Sequence, residues 1–234
     1  MGFESDLSPT YRPVAEAEVN VRAAFINKTY VHVFGAMLLF VGIEAAIFST
    51  DLAEKIAVGM LSTHWGLILC GFMLVGWIAT RVAHTAESLV AQYAALGGYV
   101  VAEALIFVPL LWIAEKAAEG VISSAAIVTL LGFVGLTLVA FVTRKDFSFL
   151  RGLLYFGGVA ALCLIAGGLL FGFQLGLYFS VGMVVLAGAA ILYDTSNVLH
   201  HYPEDRYVGA ALQLFASVAL MFWYVLRIFL ASRR

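Results

Sequence analysis

Long apolar stretches separated by short polar breaks fill the chain from residue 29 onward. Each stretch is close to the roughly 20 residues that an α-helix needs to cross about 30 Å of hydrocarbon. The apolar runs are continuous rather than alternating, and an open sheet cannot satisfy its backbone in lipid, so strands are excluded as spans. The pattern predicts an all-α polytopic membrane protein with seven transmembrane helices. The predicted spans are Thr29–Ser49, Ser62–Thr80, Ser88–Ile113, Val121–Val142, Phe149–Phe171, Leu175–Leu199 and Tyr207–Leu230.

The first 28 residues are polar and mixed in charge, which makes them too long and too acidic for the start of a secretory leader. They are predicted to form a cytoplasmic N-terminal arm, residues 1–28, before a seven-helix transmembrane domain, residues 29–234. With the N-terminus inside, most basic loop residues lie on the cytoplasmic side, against Lys55 and Lys116 in the opposite loops. This distribution follows the positive-inside rule.

The last helix conflicts with that rule. Seven full crossings place Arg227, Arg233 and Arg234 outside, where basic residues are disfavoured. Either packing rather than charge inserts the last helix, or this helix does not cross fully.

Composition narrows the function classes. Hydrophobic residues make up 63% of the chain and charged residues 12%, where soluble domains have about 25% charged residues. A net charge of -2 without a basic cluster argues against nucleic-acid binding. Cys70 and Cys163 follow no metal or redox spacing and are interpreted as packing residues. No nucleophile elbow, zinc-helix motif or phosphate loop occurs, so we expect no enzyme activity, cofactor or metal site.

Three acids lie within the predicted spans: Glu44, Glu103 and Asp194. A carboxylate in hydrocarbon costs about 2.5–3.5 kcal/mol on insertion scales, so each needs a partner, a water path or a function. Asp194 lies near the inner end of the sixth span, and Arg81 ends the second span on the same side. An arginine side chain can reach that depth, which makes an Arg81–Asp194 ion pair one prediction. The alternative is two unrelated charges at helix ends.

Glu44 and Glu103 each lie about 22 Å from the inner start of their span, in the outer half of the membrane. If the first and third spans face each other, the two carboxyl groups form an outer pair that shares a proton or binds a cation. The alternatives are that each is protonated and hydrogen-bonded singly, or lines a water-filled vestibule. Periodicity does not decide between them, because it does not set helix rotation in a chain this apolar.

Short motifs in three places resemble one family. Residues 143–150, TRKDFSFL, resemble the loop after the fourth span of the Bax inhibitor family. Residues 192–197, LYDTSN, resemble the motif that closes its sixth span, and residues 211–227 are similar to its last helix. The resemblance covers nearly the whole chain, and the members similar to it include bacterial ones of the YccA and YetJ kind.

The resemblance implies a fold in which the other helices surround the last one, in a bacterial inner membrane. It also implies a pH-sensitive calcium leak. In the family, the aspartate at the position of Asp194 pairs with a second aspartate on the last helix. An arginine at the position resembling Arg81 assists this proton-controlled latch. A second implied role is modulation of a membrane-bound protease.

The sequence departs from the family pattern at the latch. Ser217 stands where the second aspartate belongs, and Leu220 stands where the family often has asparagine. Without a facing carboxylate, like-charge repulsion is lost. We therefore expect a latch that is weaker, that works at more acidic pH or that no longer gates. Glu103 is a candidate replacement, but its depth places it about 14 Å from Asp194, too far for a direct pair.

Three functions remain open at this point. The first is a cation leak, with calcium as the transported ion and Asp194, Arg81 and Ser217 at its cytoplasmic gate. The second is a regulatory protein that docks on a membrane protease or stress-response complex through residues 1–28. The third is a proton-coupled transporter built around Glu44 and Glu103. Membrane lipid is an expected partner, nucleic acid is not, and the oligomeric state stays open.

Overall fold

The computed structural model describes residues 13–232, which form one short 3-10 turn, Val14–Glu16, followed by eight α-helices. The helices are α1 Val19–Phe48, α2 Leu52–Ser62, α3 Trp65–Thr85, α4 Leu89–Ala117, α5 Val121–Thr143, α6 Leu150–Phe171, α7 Leu177–His200 and α8 Tyr207–Ser232. All except α2 are long and apolar enough to cross a membrane. The predicted all-α architecture with seven spans is confirmed.

Helix α2 was not predicted. Its 11 residues cover about 16 Å, too little to cross a bilayer. Ala53 and Ala57 are buried against Ile47 of α1 and Val108 of α4, so α2 packs on the outer ends of these helices. The sequence pattern missed α2 because a helix of three turns shows only two buried positions on its apolar face.

Helix α1 begins at Val19, ten residues before the predicted span. Polar residues such as Arg22 and Lys28 therefore lie in its first turns rather than in an extended arm. Hydrophobicity marks where the hydrocarbon begins, but a helix can continue into the aqueous interface. Before α1, the backbone N–H of Val14 donates to the carbonyl oxygen of Tyr202 at 2.9 Å, which attaches the chain to the α7–α8 loop. Residues 1–12 of the predicted arm lie outside the described part.

Helix α8 occupies the centre of the bundle, as expected. It packs against α1, α3, α4, α5 and α7, and Leu212, Leu214 and Leu226 are fully buried. Lipid supplies no hydrophobic force between membrane helices, so close packing of this kind holds them together. Gly209 permits the approach to α3, because a Cβ at this position would lie 3.0 Å from the carbonyl oxygen of Ala83.

The C-terminal end of α8 lies at the end of the bundle that is outer in the predicted orientation. Arg227 donates from Nη2 to the carbonyl oxygen of Leu175 in the α6–α7 loop at 3.1 Å, and its guanidinium lies 5.7 Å from the ring centre of Tyr224. The α6–α7 loop is at the opposite end of the bundle from Tyr207, where α8 begins. The geometry therefore favours a full crossing that packing stabilises, and the charge of Arg227 is held by neighbouring protein groups.

Candidate functional site

A cavity of about 1460 Å³ lies between α3, α4, α6, α7 and α8. It exists because α6 packs loosely: Ala161 is the single buried residue of this helix. The cavity wall is mainly apolar. The polar and charged side chains that line it include Tyr99, Glu103, Arg151, Asp194, Ser217 and Arg227.

Asp194 lines this cavity near the inner end of α7 and is only 4% exposed. The hydroxyl group of Ser217 on α8 donates to its Oδ2 atom at 2.6 Å. That distance is typical of a hydrogen bond to an ionised acceptor. The structure thus brings together two of the predicted latch residues across the contact between α7 and α8.

Arg81 does not reach Asp194. It is exposed on α3, its guanidinium lies 5.4 Å from the ring centre of Trp77, and no ion pair joins it to Asp194 within residues 13–232. The buried face of α3 carries Ala79 and Ala83, each two residues away from Arg81. Two residues rotate a helix by about 200°, so Arg81 points away from the bundle. The predicted ion pair between Arg81 and Asp194 is not formed, because the prediction compared the depths of the two residues and not the rotation of their helices.

Glu103 of α4 lines the same cavity and is 5% exposed. The hydroxyl group of Tyr99, one turn earlier, donates to its Oε1 atom at 2.7 Å. No basic side chain pairs with Glu103 or with Asp194 in the described structure. The cavity therefore has two buried carboxyl groups whose polar contacts are hydroxyl groups.

Ring contacts between α4 and α8 set the depth of Glu103. Tyr99 contacts Phe215 at 6.3 Å between ring centres, and Phe107 stacks on Phe222 at 5.5 Å. Since the helices are parallel, Glu103 is level with a point between residues 218 and 219, about 2 Å from the level of Ser217. The predicted depth difference of about 14 Å from Asp194 is corrected, because it assumed that the helix ends share one level.

Glu44 does not line this cavity. It is 7% exposed on α1, and neither carboxyl oxygen has a hydrogen-bond partner in the described part of the chain. Its helix meets α4 where the rings of Phe40 and Phe107 lie 5.2 Å apart. Glu44 follows Phe40 by four residues and Glu103 precedes Phe107 by four, which separates the two acids by about 12 Å along the bundle. The predicted outer pair of Glu44 and Glu103 is not formed.

The loop between α5 and α6 is attached to the inner end of α7. The backbone N–H of Phe147 donates to the Ser196 hydroxyl oxygen at 2.9 Å, and this hydroxyl lies 3.4 Å from Oδ1 of Asp146. His201 Nε2 lies 3.4 Å from Oδ2 of Asp146. We call these contacts of Asp146 and Phe147 with Ser196 and His201 the inner clamp. The sequence did not predict it, although Ser196 is only two residues from Asp194 and the loop carries a family-like motif.

Asp146 is a surface carboxyl group whose ionised form is stabilised. Partial desolvation acts to raise the pKa of Asp146, but hydrogen bonds from Ser148 and the positive charge of nearby His201 outweigh it and lower this pKa below its usual value. One of these hydrogen bonds runs from the Ser148 backbone N–H to Oδ1 of Asp146 at 2.8 Å. Asp146 is therefore ionised at neutral pH.

Comparison with known proteins identifies the family. The family described as Inhibitor of apoptosis-promoting Bax1 matches residues 22–234. Bax inhibitor 1 of Schizosaccharomyces pombe is 30% identical over 227 residues, covering 92% of this chain and 79% of that protein. An uncharacterized protein of Pseudomonas aeruginosa is 32% identical over 168 residues, covering 70% of this chain and 72% of that protein.

A shorter match connects the chain to a protease modulator. Modulator of FtsH protease YccA of Escherichia coli is 37% identical over 87 residues, which cover 37% of this chain and 39% of YccA. The family match extends over nearly the whole chain and agrees with the seven apolar spans around a central last helix. This protein therefore belongs to the Bax inhibitor-1 family of integral membrane proteins.

Proposed function

We propose that this protein is a proton-sensitive cation leak in a bacterial inner membrane, with calcium as the transported ion. The observation that carries the proposal is the position of Asp194, a buried carboxyl group on a large cavity with Ser217 as its hydrogen-bond donor and no basic partner among residues 13–232. An intramembrane acid is costly and is retained where it serves a pathway. Asp194 is the proposed proton-sensing group.

The Asp194–Ser217 hydrogen bond is the proposed latch between α7 and α8. A serine hydroxyl can donate to an ionised carboxylate and accept from a protonated one, so the contact survives in both states. Two facing carboxylates would repel each other once both are ionised. The latch of this protein should therefore respond to pH less steeply than an aspartate pair would.

Arg151 replaces Arg81 as the basic residue proposed to act near the latch. Arg151 lines the cavity, whereas Arg81 does not. Helices α6 and α7 are antiparallel and meet where Gly157 approaches Leu186, which places Arg151 level with residue 192, about 3 Å in depth from Asp194. Its guanidinium lies 5.7 Å from the ring centre of Tyr155.

Calcium flux through vesicles containing the purified full chain tests the leak. Asp194→Asn keeps the shape of the side chain but removes its titration, so flux should become independent of pH between pH 5 and pH 8. Glu87→Gln, which neutralises an exposed acid away from the cavity, is the matched control and should behave like the unmodified protein. Flux that responds to pH equally in the Asn variant and the unmodified protein would refute the proposed sensor.

A second candidate function is regulation of a membrane-bound protease, which the partial match to YccA favours. The N-terminal segment is the proposed docking element, and residues 1–18 are the part that precedes α1. Deleting residues 1–12 leaves Val14 and its contact with Tyr202 in place. Loss of a co-purifying protease with unchanged calcium flux would favour regulation, and loss of neither would exclude this segment as the docking element.

A further inference from the structure

We propose that the cavity binds lipophilic organic cations that enter from the membrane between α3 and α6. This role goes beyond the leak of an inorganic ion, because it concerns the apolar wall of the cavity together with its acids.

The two acids that line the cavity suit a cationic ligand. Glu103 and Asp194 line it on two sides of α8 at nearly the same depth, and each has a hydroxyl donor as its polar partner. Buried carboxylates normally pair with a basic side chain, and neither acid does so within residues 13–232. A ligand with a positive charge between the two would complete the arrangement.

An aromatic wall lies outward of the acids. Phe107 is one turn beyond Glu103, and Trp223 contacts it edge to face at 5.0 Å between ring centres. Trp65 of α3 stacks on Trp223 at 6.4 Å, and all three rings line the cavity. Aromatic faces attract cations, and a desolvated site strengthens this attraction. The wall therefore fits the apolar body of an organic cation.

The proposed entrance lies between α3 and α6. Helices α3 and α6 approach at their outer ends, where a Cβ on Gly66 would lie 3.6 Å from Leu169, and both line the cavity further in. The cavity volume of about 1460 Å³ exceeds the roughly 300–1,000 Å³ of typical small-molecule sites. Lipophilic cations partition into membranes, so a side entrance gives them direct access.

Two arginines also line the cavity, at its ends. Arg227 donates to the Leu175 carbonyl oxygen at the outer end, where it lies ten residues, about 15 Å, beyond Ser217. Arg151 is exposed at the inner end beside Tyr155. Neither pairs with an acid of the cavity in the described part of the chain, so both carboxyl groups are available to a cationic ligand. Arg151 repels a cationic ligand, and its removal should strengthen binding.

A matched pair of probes with opposite charge tests the proposal. Tetraphenylphosphonium and tetraphenylborate have nearly the same shape, and binding of each to the purified full chain can be measured by equilibrium dialysis in detergent. We expect the phosphonium to bind about tenfold or more tightly than the borate, because the two acids attract the positive probe and repel the negative one. Equal affinities would show nonspecific partitioning and would overturn the proposal.

Four variants locate the site. The Glu103→Gln, Asp194→Asn double variant should lose about tenfold in phosphonium affinity, whereas Glu44→Gln, which neutralises a buried acid away from the cavity, should lose none. Gly158→Phe should abolish binding by filling the cavity, since a Cβ at Gly158 meets nothing within 4 Å and the fold is preserved. Arg151→Gln should raise the affinity. Unchanged phosphonium affinity in both the double variant and the Gly158 variant would refute the site, whatever the calcium flux.

Discussion

Helices α6 and α8 are both continuous apolar spans, yet they lie in opposite environments. More than half of α8 is buried, and four neighbouring spans besides α7 pack around it. Helix α6 has Ala161 as its single buried residue and borders the cavity with one side and lipid with much of the rest. Apolarity places a helix in the membrane, but shape complementarity decides whether it enters the core of the bundle. The loosely packed α6 creates the cavity, and the tightly packed α8 supplies Ser217 of the proposed latch.

The largest expected effect tests this contrast directly. Leu212→Ala in α8 removes a fully buried side chain and should cost about 2–4 kcal/mol in the free energy of unfolding, because the packed core cannot close the space. Leu153→Ala in α6, where lipid replaces the lost methyl groups, should cost about 0.5 kcal/mol or less. Unfolding by increasing sodium dodecyl sulfate measures both. Equal losses would contradict the proposed difference between the two helices.

The next effect concerns the latch. Ser217→Asp restores the aspartate pair, and repulsion between the two carboxylates should make the α7–α8 contact about 1–3 kcal/mol less stable at alkaline than at acidic pH. Thermal unfolding from pH 5 to pH 9 measures the difference. Ser217→Asn is the matched control, since it has similar size and no charge, and it should show no such slope. A flat profile for the Asp variant would mean that the two side chains do not face each other.

A smaller effect is expected at the inner clamp. Asp146→Asn removes the charge that faces His201, and since Asp146 is about half exposed, the loss should stay below about 1 kcal/mol. The pKa of Asp146 is lower in the folded protein, so its stabilisation is present above the unfolded value of about 4 and disappears as pH falls through the folded value. Stability curves of the two proteins should therefore converge below about pH 4. Curves that stay parallel down to pH 2 would argue against an ionic contribution.

The smallest effect is expected at Arg81. This side chain faces away from the bundle, so Arg81→Gln should change calcium flux by less than about twofold at any pH. Arg151→Gln is the matched comparison on the cavity and should alter the flux at neutral pH more strongly. A large effect of Arg81→Gln that Arg151→Gln does not share would restore the original assignment of the latch arginine.

The sequence by itself determined the class of the protein and the order of its spans. Length and hydrophobicity are local properties, so seven helices, the three intramembrane acids and the motifs of the family could all be found along the chain. Helix α2 and the early start of α1 were missed, because a search for apolar stretches of about 20 residues detects neither an 11-residue helix nor the polar first turns of a longer one.

Only the tertiary structure decided which side chains meet. Rotation turns Arg81 outward, and the axial offset between α4 and α8 brings Glu103 to the depth of Ser217, while Glu44 lies about 12 Å from Glu103 along the bundle. Rotation and offset depend on how the surfaces of neighbouring helices interlock, and in lipid the apolar pattern of a single helix has no polar side to set them. The cavity with its two acids is therefore a property of the packed bundle.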